Sequence, residues 1–206
     1  MNYIWINPVT ANMYDPMTLQ EYLSSHGFIM VDASAHWPET VKEKYKRAVE
    51  TAAHPLIDMR CPKIIDLVKA YELEDQVTIP EIEPILIHCG REISQREDLR
   101  GFEKIITTPC QALADLGNSL KLPETTFQPW NQFLSAHGSG LTTVPPRESP
   151  IPPGFFSELT CRKHSVTGKE EICDLFEQFH PDAYDLIELL YCKEGCHNGD
   201  GVCGCR

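Results

Sequence analysis

Tyr184-Asp-Leu-Ile-Glu-Leu-Leu-Tyr-Cys-Lys-Glu-Gly-Cys-His-Asn-Gly-Asp-Gly-Val-Cys-Gly-Cys-Arg206 is the stretch on which the reading of the chain turns. Leu186 to Tyr191 is an apolar run of strand length, and it delivers Cys192 at its carboxyl end, where open α/β sheets hold their ligands. Cys196 follows after three intervening residues, and Cys203 and Cys205 complete a set of four thiols. Gly195, Gly199, Gly201 and Gly204 lack Cβ atoms where a backbone would wrap closely round a bulky group. Thiolates at this density suit an iron–sulfur cluster, and the same residues are compatible with a structural zinc knot or with disulfides.

Working outward, strands and helices alternate. Asp15-Pro16 opens a helix with Leu19, Tyr22 and Leu23 on one face, ending near Gly27, and Phe28 to Val31 reads as a buried strand. Pro38 starts a helix carrying Val41, Tyr45, Ala48 and Val49, and Cys61-Pro62 starts another carrying Ile64, Ile65, Val68 and Tyr71. Pro84-Ile-Leu-Ile-His88 reads as a second short strand that delivers a cysteine, Cys89. Lys104 to Thr108 is a strand, and Pro109 begins a helix through Leu113 and Leu116. Prolines crowd the segment between Leu122 and Phe155, which reads as a long loop without regular structure. Cys161 to Val166 is a strand, and Thr167-Gly-Lys-Glu170 has the form of a capping box ahead of the stripe Ile172, Leu175, Phe176 and Phe179. Residues 1–14 show no clean period. The pattern predicts an α/β fold of parallel sheets covered by helices, with the thiol site at the carboxyl ends of strands.

The 206 residues suffice for one compact unit, 1–206, or for two lobes divided at about 1–100 and 101–206. A formal charge of −12 argues against a nucleic-acid surface, because phosphate binding needs clustered Lys and Arg. The N-terminal residues show neither a basic n-region nor a sustained apolar core, and no apolar run is long enough to span a bilayer. A cytoplasmic protein is the expectation, without nucleic-acid or membrane partners. Nine cysteines in a reducing compartment favour metal ligation over disulfides for the clustered ones. Cys173 reads as a core residue and Cys161 has no partner that spacing reveals. Glu188, inside the apolar run, needs a cation, a backbone donor or a cluster edge beside it, unless it faces outward. His197 could ligate, relay protons or face water, and the acidic runs 72–75 and 169–171 read as solvated faces.

The stretch from Tyr184 to Gly201 resembles the C-terminal signature of the iron-only (FeFe) hydrogenase catalytic domain, in which a Glu four residues before a Cys leads into Cys-x-Gly-Gly-Cys and a glycine run. Here these positions are Glu188, Cys192, Gly195 and Cys196. Ile85-Leu-Ile-His-Cys89-Gly-Arg-Glu is similar to that family's second cysteine motif, and Lys104 to Leu116 with Leu122-Pro-Glu to the segment after it. Cys61-Pro62 stands where a Ser-Pro pair usually opens a helix, and Ala33-Ser-Ala-His-Trp-Pro38 where the first cysteine motif is expected. The resemblance implies a 4Fe-4S cluster on Cys89, Cys192 and Cys196, Cys196 being the residue that would bridge to a second metal centre. The fourth ligand does not carry over. Cys203 is the first choice, since seven residues of chain reach at most about 25 Å; Cys205, Cys61 and His36 are the others. Gly90-Arg91-Glu92 replaces the family's Lys-bearing segment, and its proton-delivery cysteine is absent. The resemblance therefore implies electron transfer or redox sensing with a redox partner protein and without hydrogen turnover. An oxidoreductase with an open or bridged iron site and a zinc-stabilised interaction module are the alternatives.

Overall fold

The computed structural model describes residues 2–138, 140–142, 151 and 153–202. The chain forms two compact units interleaved in sequence: unit 1 comprises residues 1–35, 86–151 and 196–206, and unit 2 comprises 36–85 and 152–195. Each contains its own parallel sheet, so the expected α/β class holds.

In unit 1, β1 (Asn2–Trp5), β2 (Phe28–Met30), β4 (Lys104–Thr108) and β5 (Thr125–Pro129) form a sheet of order β2-β1-β4-β5, parallel throughout. The short α1 (Pro8–Ala11) and α2 (Pro16–Ser25) begin at asparagine and aspartate caps: Asn7 Oδ1 accepts from Thr10 N–H at 3.0 Å, and Asp15 Oδ1 from Thr18 N–H at 2.9 Å. They and α7 (Trp130–His137) bury a cluster that includes Ile4, Leu19, Leu23, Phe28, Trp130 and Phe133. The helices α5 (Ile85–Gln95) and α6 (Gln111–Ser119) come close to β5 because glycine stands at each contact. A Cβ on Gly90 or Gly117 would lie 2.4 Å or 2.2 Å from the Phe127 ring, so both positions are kept small by one buried phenylalanine.

In unit 2, β3 (Leu56–Ile57), β6 (Lys163–Thr167) and β7 (Leu186–Leu190) form a parallel sheet with β7 in the centre. All five residues of β7 are buried, as a strand covered on both faces requires. Alternation sends Ile187 and Leu189 toward α4 (Lys63–Ala70) and α8 (Lys169–Glu177), with Ile64, Val68, Ile172 and Phe176. Leu186 turns to the other side, with Val41 and Tyr45 of α3 (Trp37–Thr51) and with Phe156.

Three expectations are corrected. Residues 84–88 do not form a strand: Ile85 onward is α5, and Cys89 sits inside that helix. A four-residue apolar run fits either structure, and the buried positions Leu86, Gly90 and Ile93, spaced three and four apart, follow the helical period. The segment 122–155 is not without regular structure, since it holds β5 and α7. Asn118 fixes β5 by accepting from Phe127 N–H and donating to Phe127 O, both at 2.8 Å. The capping box at Thr167 does not form; Thr167 ends β6, its hydroxyl accepts from Glu194 N–H at 3.1 Å, and Gly168 is the N-cap of α8.

Candidate metal centre

At the carboxyl end of the unit 2 sheet, three charged side chains are buried together. Asp58, one residue beyond β3, is fully buried and accepts three guanidinium hydrogen bonds from Arg60, between 2.7 and 3.1 Å. Arg60 Nη2 also donates to Glu188 Oε1 at 2.5 Å. Glu188 accepts further from Gly154 N–H at 2.6 Å, Phe155 N–H at 3.0 Å and the Ser165 hydroxyl at 2.7 Å. The Phe155 ring lies 4.1 Å from the guanidinium carbon. Tyr45 closes the group, its oxygen accepting from Met59 N–H at 2.6 Å. Burial alone would depress the Arg60 guanidinium, but Asp58 and then Glu188 hold it above its ordinary value. The requirement that Glu188 find a cation and backbone donors inside the apolar run is met by Arg60, Gly154 and Phe155.

Two thiols stand at that same end. Cys61 follows Arg60 directly, and Cys192 follows β7. Cys61 and Tyr191, the residue before Cys192, pack against the same buried cluster. Burial, together with the charges of Cys192 and Asp58, pushes the Cys61 thiol up to about 11.

The carboxyl end of the unit 1 sheet is built differently. Asn7 N–H and its side-chain amide both donate to the Thr107 hydroxyl, at 2.9 and 3.1 Å, tying the end of β1 to the end of β4. The β1/β4 junction is where the strand order reverses, the usual ligand position of an open α/β sheet. The C-terminal stretch docks onto the turn after β4: Gly201 N–H donates to Pro109 O at 2.9 Å, Asn131 N–H to Gly201 O at 2.8 Å, and Gln111 N–H, at the start of α6, to Asp200 Oδ1 at 2.9 Å. A Cβ on Gly199 would sit 2.3 Å from Pro109 O, and one on Gly201 2.8 Å from Cys110 N. Of the glycines expected to make room for a cofactor, these two make room for the chain's own backbone. Val202 is fully buried in the unit 1 core, against which Cys196 also packs.

Cys89 and Cys196 therefore lie in unit 1, Cys192 and Cys61 in unit 2, and Cys203 and Cys205 outside the described residues. His36 is exposed at the start of α3. Cys89 is buried, and desolvation, followed by Glu92, pushes its thiol up to about 12. Sequence reasoning passed over two groups. Cys110, beside Gly201, carried a signal in its place directly after a strand; the Asp58–Arg60 pair carried none beyond its position after a two-residue strand. Among the described residues no group of three or more His, Cys, Asp or Glu side chains is arranged to hold a metal ion. Thiols are the chemistry an iron–sulfur cluster takes, and the described residues offer Cys61 with Cys192 rather than a set of four. Among the described residues no helix is long and apolar enough to cross a membrane. No family model matches the chain, and no curated protein matches it.

Proposed function

We propose that the chain is an iron–sulfur protein of electron transfer or redox sensing, with Cys192 and Cys61 of unit 2 as thiolate ligands. The observation that carries this reading is the placing of Cys61 and Cys192 beyond the carboxyl ends of adjacent parallel strands. The likeness of residues 184–201 to the end of the iron-only hydrogenase catalytic domain supplies the cluster type, a 4Fe-4S cubane, which when bound gives or takes one electron at a time. Cys61 is preferred to Cys89 because Cys61 stands beyond the end of β3, next to the strand that leads to Cys192, whereas Cys89 sits inside the packed helix α5. Hydrogen turnover is no part of the proposal, since the lysine and proton-delivery cysteine of that family have no counterpart here.

Anaerobic reconstitution followed by iron and acid-labile sulfide analysis tests it. Cys61→Ser and Cys192→Ser should each lose the cluster and its electron paramagnetic resonance signal, while Cys89→Ala and Cys173→Ser keep iron. Truncation after Val202 then reads the part played by Cys203 and Cys205. Stoichiometric zinc without sulfide would replace this reading with a zinc-stabilised module.

A further inference from the structure

We propose that Cys61 and Cys192 join as a reversible disulfide in the cluster-free chain and thereby close their site to metal until a thiol reductant reopens it. The closing of the site rests on the iron–sulfur reading; the disulfide does not. β3 and β7 are hydrogen-bonded parallel neighbours, in register at Leu56–Leu186 and Ile57–Ile187, and Asp58 N–H extends the pairing to Ile187 O at 2.9 Å. Cys61 and Cys192 lie four and two residues beyond the ends of these strands, and a disulfide needs their Cα atoms within about 4.4–6.8 Å. Both chains leave the sheet at the same end. The turn after β3 packs Cys61 against the same buried cluster as Tyr191, the residue before Cys192, and Lys63 Nζ lies 4.9 Å from the Tyr191 ring centre.

The backbone on both sides is held by one lock. Arg60, next to Cys61, is fixed by Asp58 and Glu188, and Glu188 lies on the strand that ends at Cys192. Two thiols presented from such a frame meet each other more often than a partner in solution.

The chemistry balances with a low-molecular-weight disulfide, such as oxidised glutathione, as oxidant. One thiolate of the pair attacks it, releasing one glutathione and leaving a mixed disulfide. The second thiol gives its proton to water and displaces the other glutathione. Two protein thiols are oxidised, one glutathione disulfide is reduced to two thiols, and dithiothreitol reverses both steps.

Full-length, metal-free protein is incubated with oxidised glutathione, alkylated, and digested with trypsin and Glu-C without reduction. Cleavage after Glu177 and Glu188 separates Cys173 from Cys192. Mass spectrometry should find the peptide of Cys61 joined to that of Cys192, two hydrogens lighter than their sum, in most chains. The joined species should vanish with dithiothreitol and in Cys61→Ser, and persist in Cys173→Ser. Both thiols alkylated, each capped by glutathione, or either joined to another cysteine would overturn the proposal, and this mapping needs no variant to fold. Iron and sulfide are then offered to oxidised and reduced samples. Cluster formation in the reduced sample alone supports the gate. Equal assembly in both, with the joined peptide present, overturns the gate. Iron uptake by neither sample overturns the iron–sulfur reading, with the disulfide read separately from the peptides.

Discussion

In unit 1 the carboxyl ends of the strands are closed by backbone, neutral side chains and one exposed carboxylate, Asp200, whereas in unit 2 they are closed by three buried charges. Unit 1 uses Asn7 and Thr107 to join two strands, and a returning stretch of glycine-rich chain to cover the next turn. Unit 2 gathers Asp58, Arg60 and Glu188 beneath Cys61 and Cys192, and fastens residues 154 and 155 to Glu188. The same parallel architecture thus ends in two kinds of cohesion. One depends on close approach and tolerates no added atoms. The other depends on charge pairing and tolerates no lost partner.

The comparison breaks most visibly at Glu188. Glu188→Ala removes four hydrogen bonds at once, taking an acceptor from two amides, the Ser165 hydroxyl and Arg60 Nη2, which keeps only Asp58. Removing one partner of a buried ion pair costs about 3–5 kcal/mol, so urea unfolding should show a loss of that order. Glu188→Gln, which keeps the shape and loses the charge, should recover part of it. A loss below about 1 kcal/mol would mean that unit 2 is held by packing after all.

Gly201→Ala is the counterpart in unit 1. Its new methyl would lie 2.8 Å from Cys110 N and Pro109 C, both main-chain atoms that cannot swing aside. Overpacking of this kind costs about 1–3 kcal/mol, and the docked stretch is the part free to yield. Amide exchange at Gly201 and Asn131 should rise while β1 and β4 remain protected. Asp200→Ala tests the remaining, weaker tie: losing the carboxylate that caps Gln111 N–H should cost on the order of 0.5–2 kcal/mol. That figure should shrink in salt, because Asp200 is exposed.

The elements legible in the sequence were those whose period or cap is local. The helices over 16–25 and 37–51 and the strand over 186–190 follow from Asp15-Pro16, Pro38 and the run at Leu186. What escaped was set by distant partners. Ile85-Leu-Ile-His has no period to read at that length, and only Phe127 and Ile106 explain why a glycine stands at 90. Pro129 hides β5 because proline is a poor strand residue, yet it pairs with Thr108 at the strand end, where a missing donor costs little. In the site, the carboxylate at 188 announced its need for a partner. Nothing local named Arg60, which stands 128 residues away in sequence.

The smallest expected effect sharpens the contrast within unit 2 itself. At the amino end of β6 and β7, Arg162 and Asp185 repeat the chemistry of Arg60 and Asp58: Nη2 reaches Oδ1 at 2.6 Å and Arg162 N–H reaches Oδ2 at 2.8 Å. The Arg162 side chain is 61% exposed, against 6% for Arg60, and water competes for every bond. The side-chain and then the backbone hydrogen bonds from Arg162 hold the Asp185 carboxyl below its ordinary value. A carboxyl depressed in the folded state stabilises above its unfolded pKa and loses that contribution as pH falls through the folded one. Thermal unfolding of Asp185→Asn should therefore differ from the parent only slightly at neutral pH, and the difference should close below about pH 4, where the unfolded carboxyl is protonated. Glu188→Gln should behave otherwise, its deficit at neutral pH far exceeding that of Asp185→Asn. If the two deficits prove equal at neutral pH, burial is not what separates the two ends of the sheet.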